Sequence, residues 1–198
     1  NLNQVVRFES LDNADSTTQF LTSTDLGVGS MRDVDFDSLG RMYIAGAQMA
    51  RVDVFGTTGL QTDFLTDSSF NTVAIDRENN ILYAASNFDI TKAQLDGTGE
   101  VSSWLTWDDL IPSAFNIQGL AVGPDGFVYA AQAPGVTKID PDTRSVVAQF
   151  DLPTYSGFGD GISDVMVKDN AVFVLNLGAD GDNKAIYKLN RDLTVIDS

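Results

Sequence analysis

The chain has 198 residues, of which 28 are acidic and 12 basic, for a formal net charge of −16, and its 43% hydrophobic content is enough for one substantial core. Such a surface repels phosphate backbones and anionic headgroups, which sets nucleic acid and membrane surfaces aside as partners. With no Cys and no His, the chain is denied disulfides, thiolate chemistry, Ser-His-Asp triads and imidazole- or thiolate-held metals.

In chain order, the first segments form half of a unit. Val5-Val6-Arg7-Phe8 reads as a third strand and Thr18-Gln19-Phe20-Leu21 as a fourth, with no first or second strand ahead of them. From there a unit recurs. Its aromatic residue stands at Tyr43, Tyr83, Tyr129 and Phe173, in steps of 40, 46 and 44 residues, the length of one four-stranded propeller blade. An alternating strand precedes each aromatic: Val34 and Phe36, Val73 and Ile75, Leu120 and Val122, Val165 and Val167. The turn between ends on Gly40, Asn80, Gly126 or Asn170, residue types that tolerate the positive φ of a tight hairpin. A third strand with a basic residue follows at Arg51, Lys92, Lys138 and Lys188. An outer strand then closes each unit near Phe64-Leu65, Trp104-Leu105, Gln149-Phe150 and Val195-Ile196.

The expected fold is therefore all-β: a β-propeller with a half blade at 1–24 and full blades at 32–69, 70–115, 116–161 and 162–198. The chain opens Asn1-Leu2-Asn3 without Met or signal peptide, as a processed or excised form would. Six blades at this period need additional sequence, so the arc is read as part of a larger ring, completed by a missing part of the same propeller or by another chain. An open arc would expose residues of the Val34 and Val165 type at its two ends.

Segments such as Val34 to Phe55, ending Arg51-Val52-Asp53-Val54-Phe55, resemble NHL repeats. The resemblance extends over nearly the whole chain and is carried by packing residues. It implies a six-bladed type of propeller, a shape shared by calcium-dependent lactonases, peptide-amidating lyases and protein-binding scaffolds. The lyases use histidine-bearing zinc sites, which this chain cannot supply. The lactonase-like family sets carboxylates and amides around a central cation. Asp33, Asn71 and Asp164 fit such a ring, whereas Arg32 and Gln118 depart from it, and no general base is assigned.

Ligands of propellers usually sit on the face where the fourth-to-first and second-to-third loops open, and the longest loops here lie on it: 66–71, 106–118, 153–161 and 176–183. Asp35 fills a slot held by Ala74, Ala121 and Met166 in the other units, so its carboxylate needs hydrogen bonds in a wet channel or a cation. Asn71 and Gln118 stand just ahead of inner strands. Trp107 and Tyr155 offer rigid platforms for a sugar ring or a partner's apolar side chain, whereas Phe70 and Phe115 are expected to be buried. Asp180, Asp182 and Asn183 form the best local calcium candidate, with an acidic hairpin turn as the alternative.

The reading that results is a non-enzymatic binding or scaffolding propeller. It engages a protein, or a carbohydrate, on the loop face around its channel, in an extracytoplasmic setting suggested by the acidic, cysteine-free composition. The alternative is a calcium-dependent, lactonase-like hydrolase.

Overall fold

The computed structural model describes residues 4–8, 17–22, 30–53, 60–61, 64–65, 69–110, 115–152, 161–177 and 184–197. A two-stranded antiparallel pair, β1 (Gln4–Phe8) and β2 (Thr17–Thr22), comes first. Four antiparallel sheets of four strands follow in simple meander order. The first blade is β3 (Met31–Phe36), β4 (Arg41–Gly46), β5 (Ala50–Asp53) and β6 (Leu60–Gln61). The second is β7 (Thr72–Asp76), β8 (Ile81–Ala85), β9 (Asp89–Gln94) and β10 (Val101–Thr106). One helical turn, α1 (Trp107–Leu110), leads to the third: β11 (Phe115–Val122), β12 (Val128–Ala133), β13 (Gly135–Asp140) and β14 (Ser145–Asp151). The fourth is β15 (Ile162–Lys168), β16 (Ala171–Asn176), β17 (Ala185–Asn190) and β18 (Val195–Asp197). The first strands of all four blades line one central channel, so the fold is a β-propeller.

Strand register confirms the internal alignment. Cross-strand rows join Asp35, Tyr43 and Arg51; Ala74, Tyr83 and Lys92; Ala121, Tyr129 and Lys138; and Met166, Phe173 and Lys188. Directly paired residues share a face of the sheet, so each aromatic of the first three blades points at the following blade. The core is accordingly a stack of interblade layers. One holds Tyr43, Phe64 and Phe70 against Val73, Ile75 and Leu82. The next holds Tyr83, Ile90 and Trp104 against Leu120, Val128 and Ile139. The last holds Tyr129, Val136 and Phe150 against Val165, Val172 and Leu189.

The structure revises three local expectations. Phe64 and Leu65 do not form the outer strand of the first blade, a place taken by Leu60–Gln61; they are buried beyond it, with Phe64 edge-on to Tyr43 at 5.4 Å between ring centroids. The apolar pair is drawn inward because Tyr43 needs a partner on that face. Gly40, Asn80 and Gly126 do take positive φ, but in the fourth blade the left-handed residue is Asp169, not Asn170. There Lys168 pairs with Ala171, and a two-residue hairpin places the left-handed conformation at its first central position. Finally, Val34 is exposed as expected, yet Val165 is buried because it faces back onto the third blade; Met166, on the opposite face, is the exposed one.

Candidate functional site

The channel is a cavity of about 380 Å³ with Asp33, Asp35, Asp164 and Arg77 in its wall. Its carboxylates have defined structural partners. Asp33 accepts the N–H of its neighbour Val34 on Oδ1 at 2.8 Å. Its Oδ2 reaches the second blade, accepting from the Val73 N–H at 2.9 Å and the Thr72 hydroxyl at 2.7 Å. The Thr72 Oγ1 in turn accepts the Leu120 N–H of the third blade at 3.0 Å. Asp35 repeats the motif one pleat along, accepting from Phe36 N at 2.7 Å and Ile75 N at 2.8 Å, and it pairs with Arg77. A carboxylate that collects backbone N–H groups across a blade boundary acts as a latch between adjacent inner strands.

Burial pushes the Asp35 carboxyl above its ordinary range, against the hydrogen bonds of Phe36 and Ile75 and the Arg77 charge. Asp164 is raised for the same first reason, with the like charge of Asp33 adding to the rise and the Val165 N–H opposing it. Gly119 explains how Asp164 comes so near the third blade: a Cβ at that position would lie 2.8 Å from the Asp164 Cα. Only glycine lets β11 and β15 approach so closely.

Asn71 is buried at the loop-face mouth. Its side chain accepts from Arg32 and donates to Asn87 Oδ1 at 2.6 Å and to the Ile117 carbonyl at 2.9 Å, joining three blades. Gln118 is exposed beside that contact, and Trp107 is half-buried at the start of α1, its backbone N–H donating to the Phe88 carbonyl at 2.8 Å. Asn71, Trp107 and Gln118 therefore belong to the loop-face region. Asp35 does not join them: Asn71 precedes β7 and Arg77 follows it, so the Asp35 pair lies toward the turn-face mouth. Tyr155, Asp180, Asp182 and Asn183 lie outside the described residues, as does the Asp12 to Asp15 segment. Among the described residues, no group of three or more acidic side chains is arranged to hold a metal ion.

Sequence reading missed Arg77, Asn87 and Thr72, whose roles arise from bonds between residues about one blade apart in the chain or on different loops. A signal was present for Arg77, an isolated cation two positions past the inner-strand Ile75. On the turn face, a larger cavity of about 690 Å³ collects Arg77, Lys168 and Arg191 beside Asp76, Glu78 and Asp169, so its lining is mixed in sign.

The interblade hydroxyls differ. Tyr43 donates to the Leu95 carbonyl of the second blade at 3.0 Å and contacts Asp37 at 3.2 Å, and burial raises it to about 12. Tyr129 donates to Asp125, which also takes Lys138 at 2.9 Å. The buried Tyr83 hydroxyl has no hydrogen-bond partner among the described residues.

No family model matches the sequence, and no curated protein matches it either. Solved structures do. A catalytically inactive variant of virginiamycin B lyase from Staphylococcus aureus, with quinupristin, superposes with a TM-score of 0.63 at 13% identity, over 90% of this chain and 58% of that one. A chain of a nidogen/laminin complex matches with a TM-score of 0.63 at 13% identity, over 99% of this chain and 89% of that one. The WD40 β-propeller domain of Doa1 matches with a TM-score of 0.59 at 17% identity, over 84% of this chain and 53% of that one. The chain thus spans a little over half the length of the lyase and WD40 chains. At these identities the likeness is one of fold, and the fold it joins is that of the β-propellers.

Proposed function

We propose that the chain is a non-enzymatic binding propeller that takes a protein partner on its loop face around the channel mouth. One observation carries the reading: Asp33 and Asp35 in the channel and Asn71 at the mouth are engaged in holding blades together, while the loop face presents apolar surface. Asp33, Asp35 and Asn71 each bond across a blade boundary. Phe88, in the β8–β9 turn, is 63% exposed, and Leu177, which follows β16, is 49% exposed. Aromatic anchors ringed by polar groups suit a protein contact. The similarity to a chain of a nidogen/laminin complex and to a WD40 domain supports the same class of role. The acidic, cysteine-free composition supports an extracytoplasmic setting as part of this reading.

The test is site-specific photo-crosslinking in extracts of the source cells, with the crosslinker at position 88 or, as a control, at position 147 on an outer strand. A discrete adduct from position 88 that disappears with Trp107→Ala, and that position 147 does not give, supports the proposal. Thermal denaturation with calcium or with a chelator addresses the hydrolase alternative. A calcium-specific rise in Tm with lactone hydrolysis would overturn the binding reading.

A further inference from the structure

In the third blade the residue four places ahead of the second-strand tyrosine is Asp125, and its Oδ2 accepts both the Tyr129 hydroxyl at 3.2 Å and Lys138 Nζ at 2.9 Å. One carboxylate thus serves a phenol and an ammonium together. The second blade has the same two groups, Tyr83 and Lys92, directly paired across β8 and β9. At the matching place it carries Asn79, whose side-chain amide donates instead to Asp76 Oδ2 at 2.8 Å. Tyr83 is 1% exposed and its hydroxyl has no partner among the described residues. Lys92 is half-buried and forms no ion pair among them; its Nζ lies 5.7 Å from the centroid of the Tyr83 ring and 5.3 Å from that of Trp104.

Both groups line a cavity of about 380 Å³ on the turn-face side of the boundary between second and third blades. Its opposite wall comes from the third blade, through Phe127 and the β13–β14 turn with Asp140 and Asp142. Two of the nearby carboxylates are committed. Asp76 accepts the N–H groups of Glu78 and Asn79 and the Asn79 amide, and Asp140 accepts the N–H groups of Asp142 and Thr143. Asp142 is exposed, and its carboxylate has no partner among the described residues. Burial, with the charges of Asp76 and Asp142, pushes the Tyr83 phenol well above its ordinary value, so it stays protonated and offers a hydrogen.

The cavity therefore presents an uncommitted ammonium, an uncommitted phenol and an uncommitted carboxylate. A simple anion would satisfy Lys92 and Tyr83, but it would enter against Asp142 and a net charge of −16. A simple cation would satisfy Asp142, but it would lie beside Lys92 and leave the buried Tyr83 hydroxyl unmet. A molecule that carries both charges close together and no net charge meets all three groups. Ile81 and Phe127 add apolar wall beside them. We infer that this interblade cavity binds a free α-amino acid, its carboxylate taken by Lys92 and the Tyr83 hydroxyl and its ammonium by Asp142. The site is independent of the loop-face surface, since every group in it stands at or near the turn-face end of a strand.

The test is isothermal titration calorimetry of the full-length natural protein, at two temperatures, with glycine, L-leucine, L-phenylalanine, L-glutamate and L-lysine. At least one of them should bind with a Kd of about 1 mM or tighter. N-acetyl-L-leucine keeps only the carboxylate and L-leucinamide only the ammonium, so each should bind about tenfold more weakly than L-leucine. Asn79→Asp sets a carboxylate at the place that Asp125 holds in the third blade, and it should weaken amino-acid binding about tenfold by occupying Lys92 and Tyr83 from within. Lys92→Met, which keeps an apolar stem over the two rings, should weaken it by a similar factor. Because Asn79 is exposed on a turn, its variant tests the site whether or not Lys92→Met folds. No binding of any of the five amino acids would overturn the inference. N-acetyl-L-leucine or L-leucinamide binding as tightly as L-leucine would overturn it too, since one charge would then suffice. Binding that Asn79→Asp leaves unchanged would place the amino acid elsewhere, with the same consequence.

Discussion

The third and fourth blades carry one pattern in two environments. The row Ala121, Tyr129 and Lys138 corresponds to Met166, Phe173 and Lys188. In the third blade this row is sealed by the next sheet: Tyr129 is fully buried, and Lys138 lies over the Phe127 ring at 4.2 Å while bonded to Asp125. In the fourth, Met166 and Lys188 are exposed and Phe173 is half-buried. The difference shows that sheet periodicity decides which residues look toward the next blade. Whether they become core depends on a surface contributed from elsewhere.

The largest test of that contrast is a paired truncation. Tyr129→Ala empties a filled interblade site and should lower stability in urea denaturation by about 3–5 kcal/mol, whereas Phe173→Ala in the same chain should lower it by about 1 kcal/mol or less. Equal losses would mean that the two faces are equally enclosed. Next comes Gly119→Ala, which drives a methyl into the Asp164 backbone and should destabilise by about 1–3 kcal/mol. A neutral result would show that the third and fourth blades can shift apart freely.

Asp125→Ala leaves Lys138 and the Tyr129 hydroxyl without their carboxylate and should be destabilising by about 1–3 kcal/mol at neutral pH. Burial alone would raise the Asp125 carboxyl, but the hydrogen bond and charge of Lys138, together with the Tyr129 hydroxyl and a backbone N–H, outweigh it and hold the group below the ordinary 3.8. Its contribution is therefore present above pH 3.8 and is lost as pH falls through the depressed value, so the gap between wild type and variant should close in acid. The smallest effect has the opposite sign. Asp164 is raised above 3.8, so its ionised form is disfavoured in the folded chain and any benefit exists only at lower pH. Asp164→Asn should raise Tm slightly at pH 7, with the advantage disappearing below pH 3.8.

The elements most legible in the sequence are those fixed by blade geometry. Tyr43, Tyr83, Tyr129 and Phe173 fall at one position because a pleated strand alternates its faces, and the basic residue of the third strand lands beside them for the same reason. Asp35 was recognisable as an odd residue in an apolar slot, but not its role, because Ile75 and Arg77 lie about one repeat away and their approach depends on how two blades pack. Asn71 was placed at the channel mouth, while its bond to Asn87 joins two loop residues that no periodicity relates. Phe64 and Leu65 resemble a strand in the sequence because an apolar pair looks alike at a sheet edge and beneath it.

The latches of Asp33 and Asp35 give the contact between first and second blades a different thermal character from that between third and fourth. Both contacts contain an apolar layer, but the former adds charge-assisted bonds to backbone N–H groups, while among the described residues the latter rests on its apolar layer of Tyr129, Val136, Phe150, Val165 and Leu189. Apolar contact weakens on cooling because its driving force near room temperature is largely entropic. The fourth blade should accordingly be the part whose attachment is most sensitive to cold. Its separation should carry a positive heat-capacity change, and chilling should loosen it before the first two blades.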